Sequence, residues 1–392
     1  MENPVKDLDL VVEGDGPKLA HWVAGQLGGE VLSHPRFGTS TLLLGGHRVD
    51  FVSARRETYP RPGALPEVSA STIADDLARR DFTINALALH LGDRRPKIMD
   101  PRGGLEDIRR GLIRTLHPDS FVDDPTRVLR AVRYEQRLGF QIESDTLSQL
   151  NAAVAQGRLG LLSGDRVRHE LERILQENRP ALALNRIADL GILPALHPAL
   201  GGEGLKERLD AIEAGKWEAD NWEPGDREVG DRQSLDSNSG DSGQMAYVAA
   251  LVYPLTPGQG EAVIQLLNLS AAWARLVRDV VLLRSRDAQL ADGALEGSRL
   301  ARELEGYCDE AVQAASWLTG SPIVARRLRK YLSELKPMAP ALDGHDLLAM
   351  GVPEGPEIGR ILRRLKESRQ DSQVSNKDEE RLLVKHLITQ GS

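Results

Sequence analysis

The hydrophobic pattern of this chain changes once, near residue 119, and the change restricts the folds that are open to it. Before that point apolar residues occur in short runs, and helical spacing is confined to residues 17–27 and about 72–80. Gly45-Gly46 separates two of the runs and is typical of a hairpin turn. The strand-like runs are residues 8–12, 30–32, 39–44 and 48–54. This pattern predicts an α+β domain with an antiparallel sheet and helices on one face.

Beyond residue 119 almost all of the periodicity is helical, which predicts an all-α remainder. The clearest helices are predicted over residues 124–138, 144–156, 164–176 and 180–190, and helical spacing resumes from 245 to about 335. Residues 214–244 are acidic and rich in Gly, Ser and Asp, so we expect a disordered insert that buries too little apolar surface to fold. The predicted organisation is a head at residues 1–117, a helical neck at 118–200, a helical body at 201–340 and a helical tail at 341–392.

Composition excludes several classes of protein. The single cysteine, Cys308, excludes a disulfide framework and a cysteine-built zinc site, and it is typical of a protein from the reducing cytoplasm. No apolar run approaches the roughly 18–20 residues that a membrane span needs. The net charge of −8 arises mainly from residues 201–246, whereas residues 79–137 and 326–392 carry a net positive charge. Positive faces that attract phosphate can therefore coexist with an acidic total.

Asp7 and Asp9 are spaced so that a strand points both carboxylates to the same face. Such neighbours repel each other, and a divalent cation such as Mg²⁺ relieves the repulsion and can bridge the phosphates of a nucleotide. Asp50 would complete a site of three acids if its strand neighbours the first. The alternative is that these acids lie on a solvated strand face, which is the commoner meaning of so short a motif.

The pair Arg79-Arg80 is followed closely by Asn85. Paired arginines suit phosphate, because each offers a planar fork of donors, and Asn85 could reach a ribose hydroxyl. The alternative is a helix C-terminus at which the two arginines complement the helix dipole.

The segment Asp123-Asp124-Pro125 predicts the start of a helix, with an acid as cap and the proline at the first helical position. At 100° per residue the arginines that follow fall on one stripe, opposite an apolar stripe. These arginines are Arg127, Arg130, Arg133 and Arg137. Like charges stacked in this way need an anionic ligand or nearby acids to offset them.

Asp124 and Arg127 lie three residues apart and could together recognise a nucleobase. Cytosine and adenine each present an amino donor beside a ring-nitrogen acceptor, and guanine and uracil reverse this order. A carboxylate accepts from the amino group and a guanidinium donates to the ring nitrogen, so the pair would select C and A. The alternative is that Asp124 only caps the helix.

Several motifs, in this order, resemble the bacterial-type tRNA nucleotidyltransferase and poly(A) polymerase family. They are residues 5–14, 79–88, 100–107, 124–134, 138–140 and 164–171, with tail motifs at 344–348 and 355–359. The resemblance implies a polymerase-β-like nucleotidyltransferase head, followed by a helical neck, body and tail. It also implies an enzyme that adds C and A, from CTP and ATP, to the 3′ end of tRNA and releases pyrophosphate.

The resemblance assigns a role to each candidate residue. Asp7 and Asp9 would hold Mg²⁺, with Asp50 as a third acid, and Arg80 would contact the triphosphate. The residues expected to read the base and hold the nucleotide are Asp124, Arg127, Arg130 and Arg133. We also expect the basic residues 326–330 to contact the tRNA backbone, with a solvated helix face as the alternative, and we infer no stable protein partner. His345-Asp346 is a solitary pair, so no phosphohydrolase activity is inferred.

The chain departs from the family in two places. The family has a Gly-Gly-x-Val-Arg-Asp signature before the Asp-x-Asp strand, but Met1 lies only six residues before Asp7, so we expect that signature and the first strand to be missing. Either the start codon was assigned late, or the chain is a truncated paralogue whose nucleotide site lacks one wall. Asp123 stands where the family more often has Glu. The alternatives to a CCA-adding enzyme are a CC-adding, A-adding or poly(A)-adding specialist, or an inactive RNA-binding remnant.

Overall fold

A computed structural model of the protein describes residues 7–34, 38–92, 95–220, 239–295 and 297–390. The chain divides into two compact units, Met1–Leu196 and His197–Ser392. The second unit begins close to the predicted start of the body. The finer division into head, neck, body and tail remains a prediction.

The first unit opens with a four-stranded sheet and one helix. The elements are β1 (Asp7–Val12), α1 (Gly16–Leu27), β2 (Glu30–His34), β3 (Thr39–Leu44) and β4 (His47–Ser53). The strands lie in the order β1-β4-β3-β2. Strands β2, β3 and β4 are antiparallel as predicted, whereas β1 pairs with β4 in parallel. The parallel pair arises because α1 returns the chain, so that β2 and then β4 run in the same direction as β1.

One face of this sheet is covered by α1. Ala20 of the helix packs with Leu42 and Phe51 of the sheet, and all three side chains are almost completely buried. Because side chains alternate along a strand, the neighbours of Leu42 and Phe51 in sequence belong to the opposite face. The apolar core of α1 and the sheet thus leaves the other face free for polar residues.

The rest of the first unit contains short strands and eight further α-helices among the described residues. In chain order they are β5 (Arg55–Thr58), β6 (Glu67–Ala70), α2 (Ile73–Ala78), β7 (Ala88–His90), β8 (Lys97–Met99), α3 (Gly104–Arg110), β9 (Leu112–Ile113), α4 (Ser120–Asp123), α5 (Thr126–Leu138), β10 (Gln141–Ile142), α6 (Ser144–Ala155), α7 (Gly164–Leu175), α8 (Pro180–Asp189) and α9 (Ile192–Leu196). Helix α5 begins two residues later than predicted, because Asp124 precedes a proline and has an extended backbone. The α+β prediction for the head and the helical prediction for the following region are confirmed.

The second unit is helical throughout the residues that are described. Its helices are α10 (Leu205–Asp220), α11 (Ser239–Val252), α12 (Pro257–Leu266), α13 (Ala271–Ser285), α14 (Asp287–Leu290), α15 (Gly297–Leu304), α16 (Asp309–Leu318), α17 (Pro322–Lys330), α18 (Gly344–Ala349), α19 (Pro356–Gln370) and α20 (Lys377–Gln390), with a π-helix at Tyr331–Leu335.

The expected disordered insert at 214–244 is wrong at both of its ends. Residues 214–220 continue α10 and residues 239–244 begin α11, while residues 221–238 lie outside the described residues. The composition of these end segments is polar, but they extend helices whose inner turns bury apolar side chains such as Ile212 and Val248. In the part of the chain that the structure describes, no helix is both long and apolar enough to cross a lipid bilayer.

Candidate functional site

The polar face of the first sheet brings the predicted acids together. Asp9 of β1 and Asp50 of β4 are directly paired in the parallel ladder, and Asp7 occupies the position paired with Arg48. Paired residues on adjacent strands share a face, so the backbone places these acidic positions side by side. Strand β4 therefore neighbours β1. This meets the condition under which Asp50 could be the third acid of the site. The side chain of Asp7 lies outside the described part of the structure.

The carboxylate of Asp50 is already bound by protein groups. Thr41 of β3 donates a hydrogen bond to Oδ1, and Arg48 Nη2 donates to Oδ2 at 3.0 Å. Asp9 is exposed. Paired carboxylates are the hard oxygen donors that suit a divalent cation, so the donor chemistry fits one, with Asp50 available once Arg48 moves away. Among the described side chains, no group of three or more His, Cys, Asp or Glu is arranged to hold a metal.

A cavity of about 1650 Å³ opens beside Asp9. Its walls come from β1, the end of α2, the 3-10 helix Thr83–Asn85, α5 and α7. The predicted residues that line it are Asp9, Arg80, Asn85, Asp124, Arg127 and Arg130. The volume exceeds the roughly 300–1,000 Å³ of a typical small-molecule site, so a nucleoside triphosphate fits with room to spare.

Arg79 and Arg80 share one buried carboxylate at the C-terminal end of α2. Arg79 Nη2 and Arg80 Nη2 lie 2.8 and 3.0 Å from the two oxygens of Asp76. Burial alone would raise the pKa of Asp76, but these two arginines hold it below the ordinary value. Arg79 also pairs with Glu57 at 2.9 Å, so its main contacts are structural. Arg80 is one-third exposed and remains accessible to a ligand in the cavity.

Asp81 connects two of the predicted nucleotide-binding residues. Asn85 Nδ2 donates to Asp81 Oδ1 at 3.0 Å, and Arg130 Nε donates to Oδ2 at 2.8 Å. Burial would raise the pKa of Asp81, but the Arg130 guanidinium and the hydrogen bonds lower it. The carboxylate therefore stays charged and fixes both side chains at the wall of the cavity.

Nearby acids offset three of the four arginines in the α5 stripe, Arg130, Arg133 and Arg137, which is one of the two alternatives that the sequence left open. Arg130 pairs with Asp81 and also lies 3.5 Å from Glu170, and Arg133 Nη1 pairs with Glu177 at 3.2 Å. Arg133 packs over the ring of Tyr134, with its guanidinium carbon 4.7 Å from the ring centroid. Arg133 does not line the cavity, whereas Tyr134 does.

Asp124 and Arg127 both line the cavity but do not pair with each other. Asp124 Oδ1 accepts hydrogen bonds from Thr126 N at 3.0 Å and Thr126 Oγ1 at 2.6 Å, so the carboxylate does cap the start of α5. Arg127 is only 4% exposed and donates to Ser120 Oγ at 2.7 Å and to the carbonyl of Arg79 at 2.8 Å. Asp124 thus caps the helix and also lines the cavity.

Sequence reasoning missed the contribution of helix α7. Arg166, His169, Glu170 and Arg173 all line the cavity. Their spacing of three, four and seven residues places them on one face of a helix, and this spacing was the signal that could have identified them. Tyr59, whose pKa burial raises to about 12, is a further wall residue from the segment after β5.

The basic segment 326–330 is more structural than its sequence indicates. Arg327 is 5% exposed, and its Nη1 donates to the carbonyl of Leu290 at 2.6 Å. The expected contact with the tRNA backbone is therefore not available to Arg327, because its guanidinium group is buried and bonded within the protein. Arg326, Arg329 and Lys330 are exposed.

Comparison with known proteins identifies relatives along most of the chain. Residues 1–114 match the family model of the poly(A) polymerase head domain, and residues 139–201 match that of the probable RNA and SrmB-binding site of polymerase A. The chain is 33% identical to the CC-adding tRNA nucleotidyltransferase of Deinococcus radiodurans, over 97% of this chain and 84% of that protein. It is also 33% identical to the A-adding tRNA nucleotidyltransferase of Geobacter sulfurreducens, over 97% of this chain but 43% of that protein.

The fold has solved counterparts as well. The Thermotoga maritima CCA-adding enzyme complexed with tRNA superposes with a TM-score of 0.74 at 28% identity, over 99% of this chain and 88% of that one. The chain spans less than half the length of the first curated relatives it matches.

Proposed function

The chain belongs to the tRNA nucleotidyltransferase and poly(A) polymerase family, and on that premise we propose that it adds C, A or both to the 3′ end of tRNA without a nucleic-acid template. The observation that carries the proposal is the acidic face of the sheet, with Asp9 and Asp50 in register, beside a cavity walled by arginines. The names of the relatives supply the substrate class, since those enzymes add A, CC or CCA to tRNA.

In the proposed reaction the 3′-hydroxyl of tRNA attacks the α-phosphate of CTP or ATP, and pyrophosphate leaves. The family implies a divalent cation, and we propose that Mg²⁺ is held by Asp7 and Asp9, with Asp50 as the third acid. Bound there, the cation would lower the pKa of the attacking hydroxyl and stabilise the charge of the leaving group. Arg48 would release Asp50 for this role, because it now occupies one of the two carboxylate oxygens.

The arginines of the cavity hold the nucleotide. Arg80 and Arg130 contact the triphosphate in this proposal, since both line the cavity and guanidinium groups suit phosphate oxygens. Asn85, fixed by Asp81, contacts a ribose hydroxyl. Arg133 acts indirectly, by supporting the Tyr134 ring that lines the cavity.

Base selection depends on Asp124 and Arg127. All three hydrogen bonds to the Asp124 carboxylate go to Oδ1, so within the described residues Oδ2 is left to accept from the amino group of cytosine or adenine. Arg127 donates to the ring nitrogen beside that amino group. Guanine and uracil would leave these groups unpaired, at a cost of roughly 1–3 kcal/mol each.

The test is incorporation of each radiolabelled nucleoside triphosphate into tRNA that lacks its 3′ CCA, with the products sized on a gel. We expect incorporation of CTP, ATP or both, and none in the Asp7→Ala, Asp9→Ala double variant. Glu30→Gln is the matched control, because Glu30 is an exposed acid of the same sheet but does not line the cavity. Undiminished incorporation in the double variant would refute the metal assignment.

The same gel separates the specialists. The relatives include an A-adding and a CC-adding enzyme at equal identity. With CTP and ATP present together, tRNA that lacks CCA is extended by two nucleotides in CC addition and by three in CCA addition. tRNA that already ends in CC is extended by one nucleotide in A addition, and long ladders indicate poly(A) addition. Absence of any product would favour an inactive RNA-binding protein. We place the reaction in the cytoplasm, where tRNA and nucleoside triphosphates occur together.

A further inference from the structure

Arg166 of helix α7 contacts two parts of the first unit that are distant in sequence. Its Nη1 donates to the carbonyl oxygen of Gly63 at 2.9 Å, and its Nη2 donates to Asp124 Oδ1 at 2.7 Å. The side chains of Arg166 and Asp124 are each 20% exposed, and both line the cavity. One planar guanidinium group therefore joins the loop 59–66, between β5 and β6, to the residue that precedes Pro125.

The contact with Arg166 fixes the direction of the Asp124 carboxylate. Oδ1 accepts from Arg166 and from two donors of Thr126, so it has three hydrogen bonds. A carboxylate that is bound through one oxygen cannot rotate without breaking those bonds. Oδ2, the remaining acceptor, is thereby held in one position at the cavity wall.

The loop end of this connection is also anchored. Gly63 has a φ of +72°, and its N–H donates to the carbonyl of Asp123 at 3.4 Å. A Cβ at Gly63 would lie 3.0 Å from the Cβ of Leu161, so the backbone here packs closely. The Gly63 carbonyl is therefore a fixed acceptor against which the Arg166 side chain is oriented.

We propose that Arg166 is a positioning residue for base selection, which aims Asp124 Oδ2 at the base and ties it to the backbone of loop 59–66. The proposal rests on the proposed function, because it requires Asp124 to meet the base of the incoming nucleotide. Arg166 acts through Asp124, because the hydrogen bonds of its two terminal nitrogens orient it toward Gly63 and Asp124.

The test measures the dissociation constants of CTP, ATP, UTP and GTP for the full chain by titration calorimetry in Mg²⁺ buffer, without tRNA. In Arg166→Ala we expect the constants for CTP and ATP to rise about tenfold, the value of one charge-assisted hydrogen bond, with those for UTP and GTP unchanged. Arg166→Lys keeps the positive charge but loses the planar pair of donors. We therefore expect it to weaken the preference for CTP and ATP over UTP and GTP less than Arg166→Ala does. It also serves in place of the alanine variant should that variant not fold.

Arg168→Ala is the matched control. Arg168 lies on the same helix and its side chain is also 20% exposed, but its ion pairs are with Asp165 and Glu172 of α7 and it does not line the cavity. We expect the Arg168→Ala variant to have the same nucleotide preference as the unaltered protein. Hydrogen exchange gives a second readout, because amides of loop 59–66 should exchange faster in Arg166→Ala and not in Arg168→Ala.

Two results would overturn the proposal. One is an equal loss of affinity for all four nucleotides, which would make Arg166 a general binding or structural residue. The other is unchanged preference or unchanged loop exchange in Arg166→Ala. An unaltered protein that binds the four nucleotides equally would refute the proposed base selection itself, so the two failures are distinguishable.

Discussion

Arg127 is held by neutral oxygens on two sides, Ser120 Oγ and the carbonyl of Arg79. No carboxylate pairs with it among the described residues, so its charge is available to a partner in the cavity. A buried guanidinium without a carboxylate partner costs stability unless a ligand or a network of dipoles compensates it. Its position thus agrees better with recognition of a ligand than with a purely structural role.

The substitution Arg127→Lys tests this assignment. A lysine cannot present donors in the plane of a base, so we expect kcat/KM for CTP or ATP, relative to UTP or GTP, to fall by roughly tenfold, which corresponds to 1.4 kcal/mol. The measurement is the incorporation rate of each nucleotide into tRNA. Arg137→Lys, on the same helix but outside the cavity lining, should change nothing. An equal loss with all four nucleotides would make Arg127 a phosphate-binding or structural residue.

Sequence alone could place those residues of the candidate site whose positions are determined locally. The alternation of a strand was enough to place Asp7 and Asp9 on one face, and the spacing of α5 was enough to place its arginines on one stripe. The pairing of Asp124 with Arg166 spans 42 residues, and that of Arg130 with Asp81 spans 49. No periodicity reveals such contacts, because they depend on how α2, α5 and α7 pack.

At the scale of elements, Gly104 shows how the motif at residues 100–107 can act on the site although none of its residues lines the cavity. The first turn of α3 packs directly on the 3-10 helix that carries Asn85, and a Cβ at Gly104 would lie 2.2 Å from the carbonyl oxygen of Thr83. Asp100 accepts hydrogen bonds from the N–H groups of Gly104 and Leu105, at 2.7 and 3.0 Å, and so caps the same turn. The segment therefore supports the 3-10 helix that carries Asn85.

We therefore expect Gly104→Ala to destabilise the protein by about 1–3 kcal/mol, because the added methyl group meets backbone that cannot rotate away. The midpoint of urea unfolding measures this change, and the affinity for CTP should weaken as Asn85 is displaced. Gly160→Ala is the control, since a Cβ there meets nothing within 4 Å. Equal midpoints for the two variants would show that α3 and the 3-10 helix adapt without cost.

At the scale of the whole molecule, the distribution of charge matters more than its total. The chain carries a net charge of −8, but exposed basic residues occur in both units, and the cavity is lined only by residues of the first. Arg326, Arg329 and Lys330 are exposed on α17 of the second unit. If they contact tRNA phosphates, they contribute to RNA affinity and not to nucleotide affinity.

The triple variant Arg326→Ala, Arg329→Ala, Lys330→Ala separates these two contributions. Each phosphate contact adds about 1 to the slope of log affinity against log salt, so we expect the slope for tRNA binding to fall by up to about 3. The affinity for CTP should be unchanged. The double variant Arg275→Ala, Arg278→Ala provides the control for loss of charge alone. Both arginines are exposed, but they are paired with Asp279 and Glu261. If both variants lower the slope by the same amount per charge removed, tRNA is attracted by the overall electrostatic field of the protein. In that case the residues of α17 make no specific phosphate contact.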